Sequence, residues 1–136
     1  MKNYSRKLIL FSLIAIFLFQ MIPTYAANTQ GSVIVPLWDY VDIVYLDLTF
    51  DGNIAVCYGH VVPKAAYKVK ISVSLYIREE DSWRLLKSWS NSGTGPLTIH
   101  AGGNLSVGRG IYKTILFADI GGLELITKSV VKTKQL

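Results

Sequence analysis

The run Lys68-Val-Lys-Ile-Ser-Val-Ser-Leu-Tyr-Ile-Arg78 alternates strictly between polar and apolar side chains over its first eight residues. The apolar positions of the whole run are Val69, Ile71, Val73, Leu75 and Ile77. Successive side chains of a strand point to opposite faces of a sheet, so this period of two predicts a strand with one buried and one solvated face.

The residues that follow this run predict its partner strand. Glu79-Glu-Asp-Ser82 interrupts the alternation, and Trp83-Arg-Leu-Leu-Lys-Ser-Trp89 returns to β-prone residues. Two such runs joined by a short polar turn are typical of an antiparallel hairpin. The region 68–89 therefore predicts an all-β chain.

The N-terminal residues have the pattern of an export signal. Lys2, Arg6 and Lys7 precede an apolar run over residues 8–22, and Ala26 offers a small residue at a cleavage edge. We expect residues 1–26 to be a cleaved signal peptide and the protein to be secreted, extracellular or bound to the cell envelope. The alternative is an uncleaved anchor, although a largely apolar run of fifteen residues falls short of the usual transmembrane span.

Removal of this leader changes the charge of the protein. The net charge of +5 falls to about +2, since three basic residues leave and all acidic ones stay. We therefore expect no nucleic-acid partner, and membrane contact only through the leader during export. Lys128, Lys132 and Lys134 are interpreted as a solvated basic tail.

About 110 residues remain, enough for one small domain. We expect a flexible lead with a short strand over 27–39 and the folded domain over 40–136. The single cysteine, Cys57, excludes an intramolecular disulfide. Cys57 and His60 lie close in sequence, but His100 is forty residues on, so we predict no metal site, and no cofactor.

The remaining strands are predicted from turn residues. Asp51-Gly52, Glu80 and Gly121 mark hairpins, and Pro63, the stretch 91–96 and Gly102 mark crossings between sheets. We expect a loop at 91–96 and a strand break at 102–104. On the strand from Ile54 to Val61, either the small or the large residues face inward. This order predicts a β-sandwich of seven antiparallel strands, three packed on four.

Two resemblances follow from these motifs. Leu105, Gly108, Tyr112 and Ala118 resemble the fibronectin type III pattern of the immunoglobulin-like architecture, which implies that Tyr112 is a tyrosine corner. The chain also resembles a family of small secreted proteins of Gram-positive bacteria whose function is unassigned. This likeness rests on the leader, Trp38, Ala55-x-Cys57-x-Gly59-x-Val61, Trp83, Lys87-Ser-Trp89-Ser and Gly110-x-Tyr112-Lys113.

Two candidate binding surfaces emerge. Trp83 and Trp89 share a parity and form an aromatic platform if their face is exposed, or core if it is not. The polar positions of the central strand form the other candidate, a cationic surface suited to an anionic wall polymer or simply to solvation; they are Lys68, Lys70, Tyr76 and Arg78.

Catalytic constellations are missing from the sequence. We find no Gly-x-Ser-x-Gly elbow and no His-Glu-x-x-His motif, and we expect a protein that is not an enzyme. The favoured function is surface binding of an extracellular or cell-wall partner. One alternative is a membrane-active or antibacterial protein, based on the doubly apolar strand 111–118. Another is a carbohydrate-binding module that uses Trp83 and Trp89.

Overall fold

The structure is a computed structural model and describes residues 38–135. The expected signal peptide and most of the expected lead lie outside these residues. Within them every regular element is a strand. The strands are β1 (Val41–Asp51), β2 (Ile54–Pro63), β3 (Lys68–Glu79), β4 (Ser82–Thr94), β5 (Ile99–Ser106), β6 (Gly110–Ile120) and β7 (Glu124–Lys134).

The strands form two antiparallel sheets that pack face to face. One sheet has the order β1-β2-β5 and the other β4-β3-β6-β7. This arrangement confirms the predicted sandwich of three strands on four, with the strand order of a fibronectin type III fold. The hairpins also fall where the turn residues place them, with positive φ at Gly52, Glu80 and Gly121.

The core follows the alternation of β3. Val69, Ile71, Val73 and Leu75 are all buried, while Ile77 is only partly buried at the end of the strand. The apolar parity of β1 meets them from the other sheet, with Val44, Leu46 and Leu48 buried and Phe50 packed against the core.

Small side chains line the inward face of β2, which settles the choice left open by its two parities. Ala55, Cys57 and Val61 are buried on the same parity as Gly59. A Cβ added at Gly59 would lie 2.7 Å from Leu116 and 2.9 Å from Val73, so these two aliphatic side chains fill the space. The large residues of β2 therefore face away from the core.

Two predicted interruptions differ from the structure: the loop expected at 91–96 begins only at Gly95, and the strand break expected at 102–104 is absent. Residues Asn91 to Thr94 are not a loop, because they continue β4 and pair with Lys68 to Ile71 of β3. Residues 102–104 do not break β5, which continues through them in register with β2. Gly103 is needed in the strand because Trp89 from β4 lies directly over it, where any side chain would overlap the indole.

Tyr112 is the expected tyrosine corner. Its ring is buried against Phe50, with ring centroids 5.6 Å apart, and its hydroxyl donates a hydrogen bond to the Gly108 carbonyl at 2.9 Å. Burial raises the pKa of Tyr112. The side chain thus fixes the β5–β6 connection to the core.

The three C-terminal lysines do not form the expected solvated tail. They lie on β7 and reach across to β1, an edge strand of the other sheet, and to the turn that follows it. Lys128 donates to the Val44 carbonyl at 3.0 Å, Lys132 pairs with Asp47 at 3.0 Å, and Lys134 donates to Asn53 at 3.3 Å. Lysines turned inward at a sheet edge obstruct pairing with another chain.

Candidate functional site

The outer face of the four-stranded sheet carries most of the residues selected from the sequence. We call it the outer face and define it by paired residues that point away from the core. Its rows across β4, β3, β6 and β7 include Leu85–Tyr76–Lys113–Val131, Ser90–Ser72–Phe117–Thr127 and Ser92–Lys70–Asp119–Leu125. Lys68 and Arg78 share the parity of Lys70 on β3, so the predicted cationic set is brought to one face.

A β-bulge separates the two tryptophans, and the prediction that they share a face is wrong. Leu75 pairs with Lys87 and Tyr76 pairs with Leu85, so Leu86 is an extra residue in β4. One extra residue reverses the parity of the strand beyond it. Trp83 consequently pairs with outward-facing Arg78, whereas Trp89 pairs with buried Val73 and packs against the core.

One end of the outer face is aromatic and cationic. The Lys113 ammonium lies 4.3 Å from the ring centroid of Trp83 and 5.6 Å from that of Tyr76. Both distances allow cation–π attraction, which holds the lysine over the rings. Arg78 is anchored nearby by a hydrogen bond from its Nε to the Glu80 carbonyl at 3.3 Å.

The other end is a shallow groove of about 510 Å³. It has a serine-rich wall from β3 and β4, with Phe117 on its opposite side and Lys70 at one end. Lys68 extends the same surface, since it lines two smaller depressions together with Lys70. The groove offers hydroxyl donors, one aromatic ring and positive charge to a ligand.

Exposed apolar side chains connect the two ends. Leu85, Phe117, Leu125 and Val131 are between 43% and 67% exposed. An antiparallel sheet usually presents polar residues on its solvated side, so these four exposed apolar side chains depart from the usual pattern. The paired residues of the face carry four cations, Lys68, Lys70, Arg78 and Lys113, against the single anion Asp119.

A second cluster, which sequence reasoning missed, lies on the solvent side of the three-stranded sheet. Tyr45, His60 and His100 occupy one cross-strand row of β1, β2 and β5, and Tyr58 lies beside them. Centroid distances from 5.1 to 6.3 Å link the four rings. The alternation of β2 predicts that Tyr58 and His60 share a face. It gives no sign of His100, which is forty residues further along the chain.

Among residues 38–135, no three His, Cys, Asp or Glu side chains lie close enough together to hold a metal ion. Cys57 points into the core, so the sheet separates it from His60 on the solvent side. Burial raises the pKa of its thiol to about 11. The described part of the chain also has no helix of the length and hydropathy needed to cross a bilayer.

Comparison with known proteins gives matches in structure alone. No protein-family model matches the chain, and neither does any curated protein. The resemblance to small secreted Gram-positive proteins therefore stays a prediction.

Three solved structures illustrate the likeness. CsgH of R. palustris has a TM-score of 0.46 and 10% identity over 64% of this chain and 88% of its own. OgpA of Akkermansia muciniphila has a TM-score of 0.46 and 9% identity over 71% of this chain and 30% of its own. Spo0M of Bacillus subtilis has a TM-score of 0.36 and 15% identity, over 71% and 49%. Likenesses at this level say nothing about what this chain binds.

Proposed function

We propose that this protein is an exported, non-enzymatic binding module whose outer face holds an anionic polymer at or outside the cell envelope. The observation that carries the proposal is the charge of that face, where four cations stand against one carboxylate on a surface that is otherwise apolar or hydroxyl-bearing. Such a field attracts a polyanion and speeds its encounter with the protein.

The two ends of the face suit different parts of a polymer. Lys68 and Lys70 beside the serine wall offer charge and hydrogen bonds to phosphate or carboxylate groups. Trp83 and Tyr76 offer apolar ring surface to the carbon skeleton between the charged groups. Lys113, which lies over both rings, adds positive charge at the same place. A phosphate-rich wall polymer, in which charge and sugar or polyol alternate, fits this order.

Export supports the assignment of the partner. The basic and apolar pattern of residues 1–26 is that of a signal peptide, so a partner outside the cytoplasm is expected. The cation count on the outer face does not depend on the leader, because all four residues belong to the domain.

The carbohydrate alternative loses its two-tryptophan platform, since Trp89 packs inward. A membrane-active role retains one observation in its favour, the exposure of Phe117, Leu125 and Val131 on adjacent strands. Vesicle leakage assays distinguish it from polymer binding, because a polymer-binding module leaves the bilayer intact.

The test measures binding of the purified protein to poly(glycerol phosphate) by calorimetry at two salt concentrations. The double substitution Lys68→Gln with Lys70→Gln is expected to weaken binding roughly thirtyfold, at about 1 kcal/mol per cation near an anionic surface. Wild-type binding is expected to weaken as salt rises.

The matched control removes two cations elsewhere. Lys87 has the opposite parity to the outer face, and Arg109 lies in the β5–β6 connection. Lys87→Gln with Arg109→Gln lowers the net charge by the same amount and is expected to change affinity less than threefold, as surface charge away from a site has a small effect. Equal weakening by both pairs, or no binding by the wild type, would overturn the proposal.

A further inference from the structure

The solvent side of the three-stranded sheet brings together the only two histidines of the chain. His60 on β2 is the register partner of His100 on β5. Side chains that are directly opposite in an antiparallel pair have Cβ atoms about 4.5–5.5 Å apart. Two imidazoles on this spacing can converge on one ion, although forty residues of sequence separate them.

Neighbouring rings orient both imidazoles. Tyr45 stacks on His60 with centroids 5.1 Å apart and planes inclined by 20°. Tyr58 stacks on His100 at 6.1 Å and 29°. Each histidine is thus held by a tyrosine, which reduces the rotamer freedom that ligand binding would otherwise remove.

His60 has an unsatisfied nitrogen. Its Nδ1 is buried and has no hydrogen-bond partner among residues 38–135. A buried polar atom without a partner is destabilising, and an ion that engages Nδ1 itself would remove this cost.

Two further potential metal ligands near the histidines are not available. Asp47, on the neighbouring row, pairs with Lys132 at 3.0 Å, and that hydrogen bond is the main reason why the pKa of its carboxyl is lowered. Cys57 has the opposite parity and is buried. The available donor set is therefore two imidazoles, with the remaining coordination positions open to water.

We infer that His60 and His100 form a binding site for a first-row divalent transition metal ion, with a preference for Cu²⁺. Imidazole ligands suit Cu²⁺, Ni²⁺ and Zn²⁺, and Cu²⁺ binds a given set of nitrogen ligands most tightly of the three. A square-planar ion accepts two nitrogens and two waters, which matches an open pair on a sheet surface. This site lies on the other sheet from the outer face and does not rest on the proposed function.

The experiment titrates Cu²⁺, and separately Ni²⁺, into tag-free protein in a non-coordinating buffer, with calorimetry and electron paramagnetic resonance as readouts. We expect one Cu²⁺ per chain and nitrogen superhyperfine structure from two imidazoles. His60→Ala and His100→Ala are each expected to weaken Cu²⁺ binding at least about tenfold, because even outer-shell partners of a metal contribute 10–100-fold.

Asn104→Ala is the matched control, since Asn104 lies on the same side of β5, four residues from His100, and opposite Val56. It is expected to leave Cu²⁺ affinity unchanged. Circular dichroism verifies that each variant is folded. Absence of Cu²⁺ binding by the wild type, a spectrum with a single nitrogen ligand, or affinity that survives both histidine substitutions would overturn the inference.

Discussion

At the scale of single residues, stability depends on a few side chains that hold the sheets and their connections together. The Tyr112 hydroxyl and the Gly108 carbonyl form one such link. Trp89 of β4 and Gly103 of β5 form another, because the indole occupies the space that a side chain at Gly103 would need. Each link is specific enough to be tested by removing or adding a single group.

Tyr112→Phe removes the hydroxyl and keeps the ring against Phe50. We expect the free energy of unfolding to fall by about 1 kcal/mol, the net value of one hydrogen bond. Urea denaturation followed by Trp fluorescence measures the change. Tyr58→Phe, at an exposed ring, is the control and is expected to change stability by less than about 0.5 kcal/mol. Equal losses in both variants would contradict a special role for Tyr112.

Gly103→Ala places a methyl group against the Trp89 indole. Overpacking of this kind costs about 1–3 kcal/mol, which a shift of the thermal midpoint measures. Gly108→Ala is matched to it, because a Cβ at Gly108 meets nothing within 4 Å. We expect this control to be neutral, or stabilising by about 0.4–1 kcal/mol through the unfolded chain. The prediction fails if the two substitutions have the same effect.

At the scale of strands, one inserted residue decides which side chains are available to a partner. The bulge at Leu86 turns Trp89 towards the core and leaves Trp83 on the outer face. Strand β7 shows a second feature of this kind, since Lys128 and Lys132 reach across to β1 of the other sheet. Both features arise from pairing and not from local residue preference.

Trp89→Ala is expected to cost about 3 kcal/mol or more, the range found for removal of a large aromatic from a core. Trp83→Ala, on the opposite face of the same strand, is expected to cost about 1 kcal/mol, the value of its contact with Lys113. Chemical denaturation of both variants measures the difference. A larger loss for Trp83→Ala would place the bulge elsewhere.

Lys128→Met keeps an apolar stem and removes the ammonium that binds the Val44 carbonyl. The exposed β1 edge is then open to pairing, and we expect concentration-dependent association above that of the wild type, measured by sedimentation velocity. Lys132→Met, which loses a bond to the Asp47 side chain and not to backbone, is the control. Similar behaviour of both variants would show that edge backbone is not the cause.

At the scale of the whole molecule, the core of the sandwich contains one free, buried thiol. Cys57 is on β2, the central strand of its sheet, and faces the opposite sheet. Access to this sulfur requires the two sheets to separate. The thiol therefore reports on opening of the domain as a unit.

A thiol reagent such as Ellman's reagent is expected to label Cys57 slowly in the native protein, since burial raises the pKa of the thiol to about 11 and thiolate is scarce at pH 8. Labelling is expected to become rapid with the same urea midpoint as the loss of Trp fluorescence. Rapid labelling without denaturant would show that the sheets open locally, contrary to a single cooperative unit.

The sequence by itself determined the number of strands and the positions of their hairpins. Alternation from Val69 to Leu75 and turn residues such as Gly52 and Gly121 act between near neighbours in the chain, so they predict local structure well. The tyrosine corner was also predictable, because Tyr112 and Gly108 are four residues apart. Three strands on four followed from the order of tight and long connections.

Only the tertiary structure decided which side chains share a surface. The Leu86 bulge parts Trp83 from Trp89, the register of β2 and β5 places His60 opposite His100, and β7 lysines reach residues more than eighty positions away. The glycines at 102–103 predict a break in sequence terms, whereas in the structure the Trp89 indole occupies the space beside Gly103. Cross-strand register couples distant segments through backbone hydrogen bonds and packing, and a one-residue shift reverses a face, so periodicity within a strand cannot fix it.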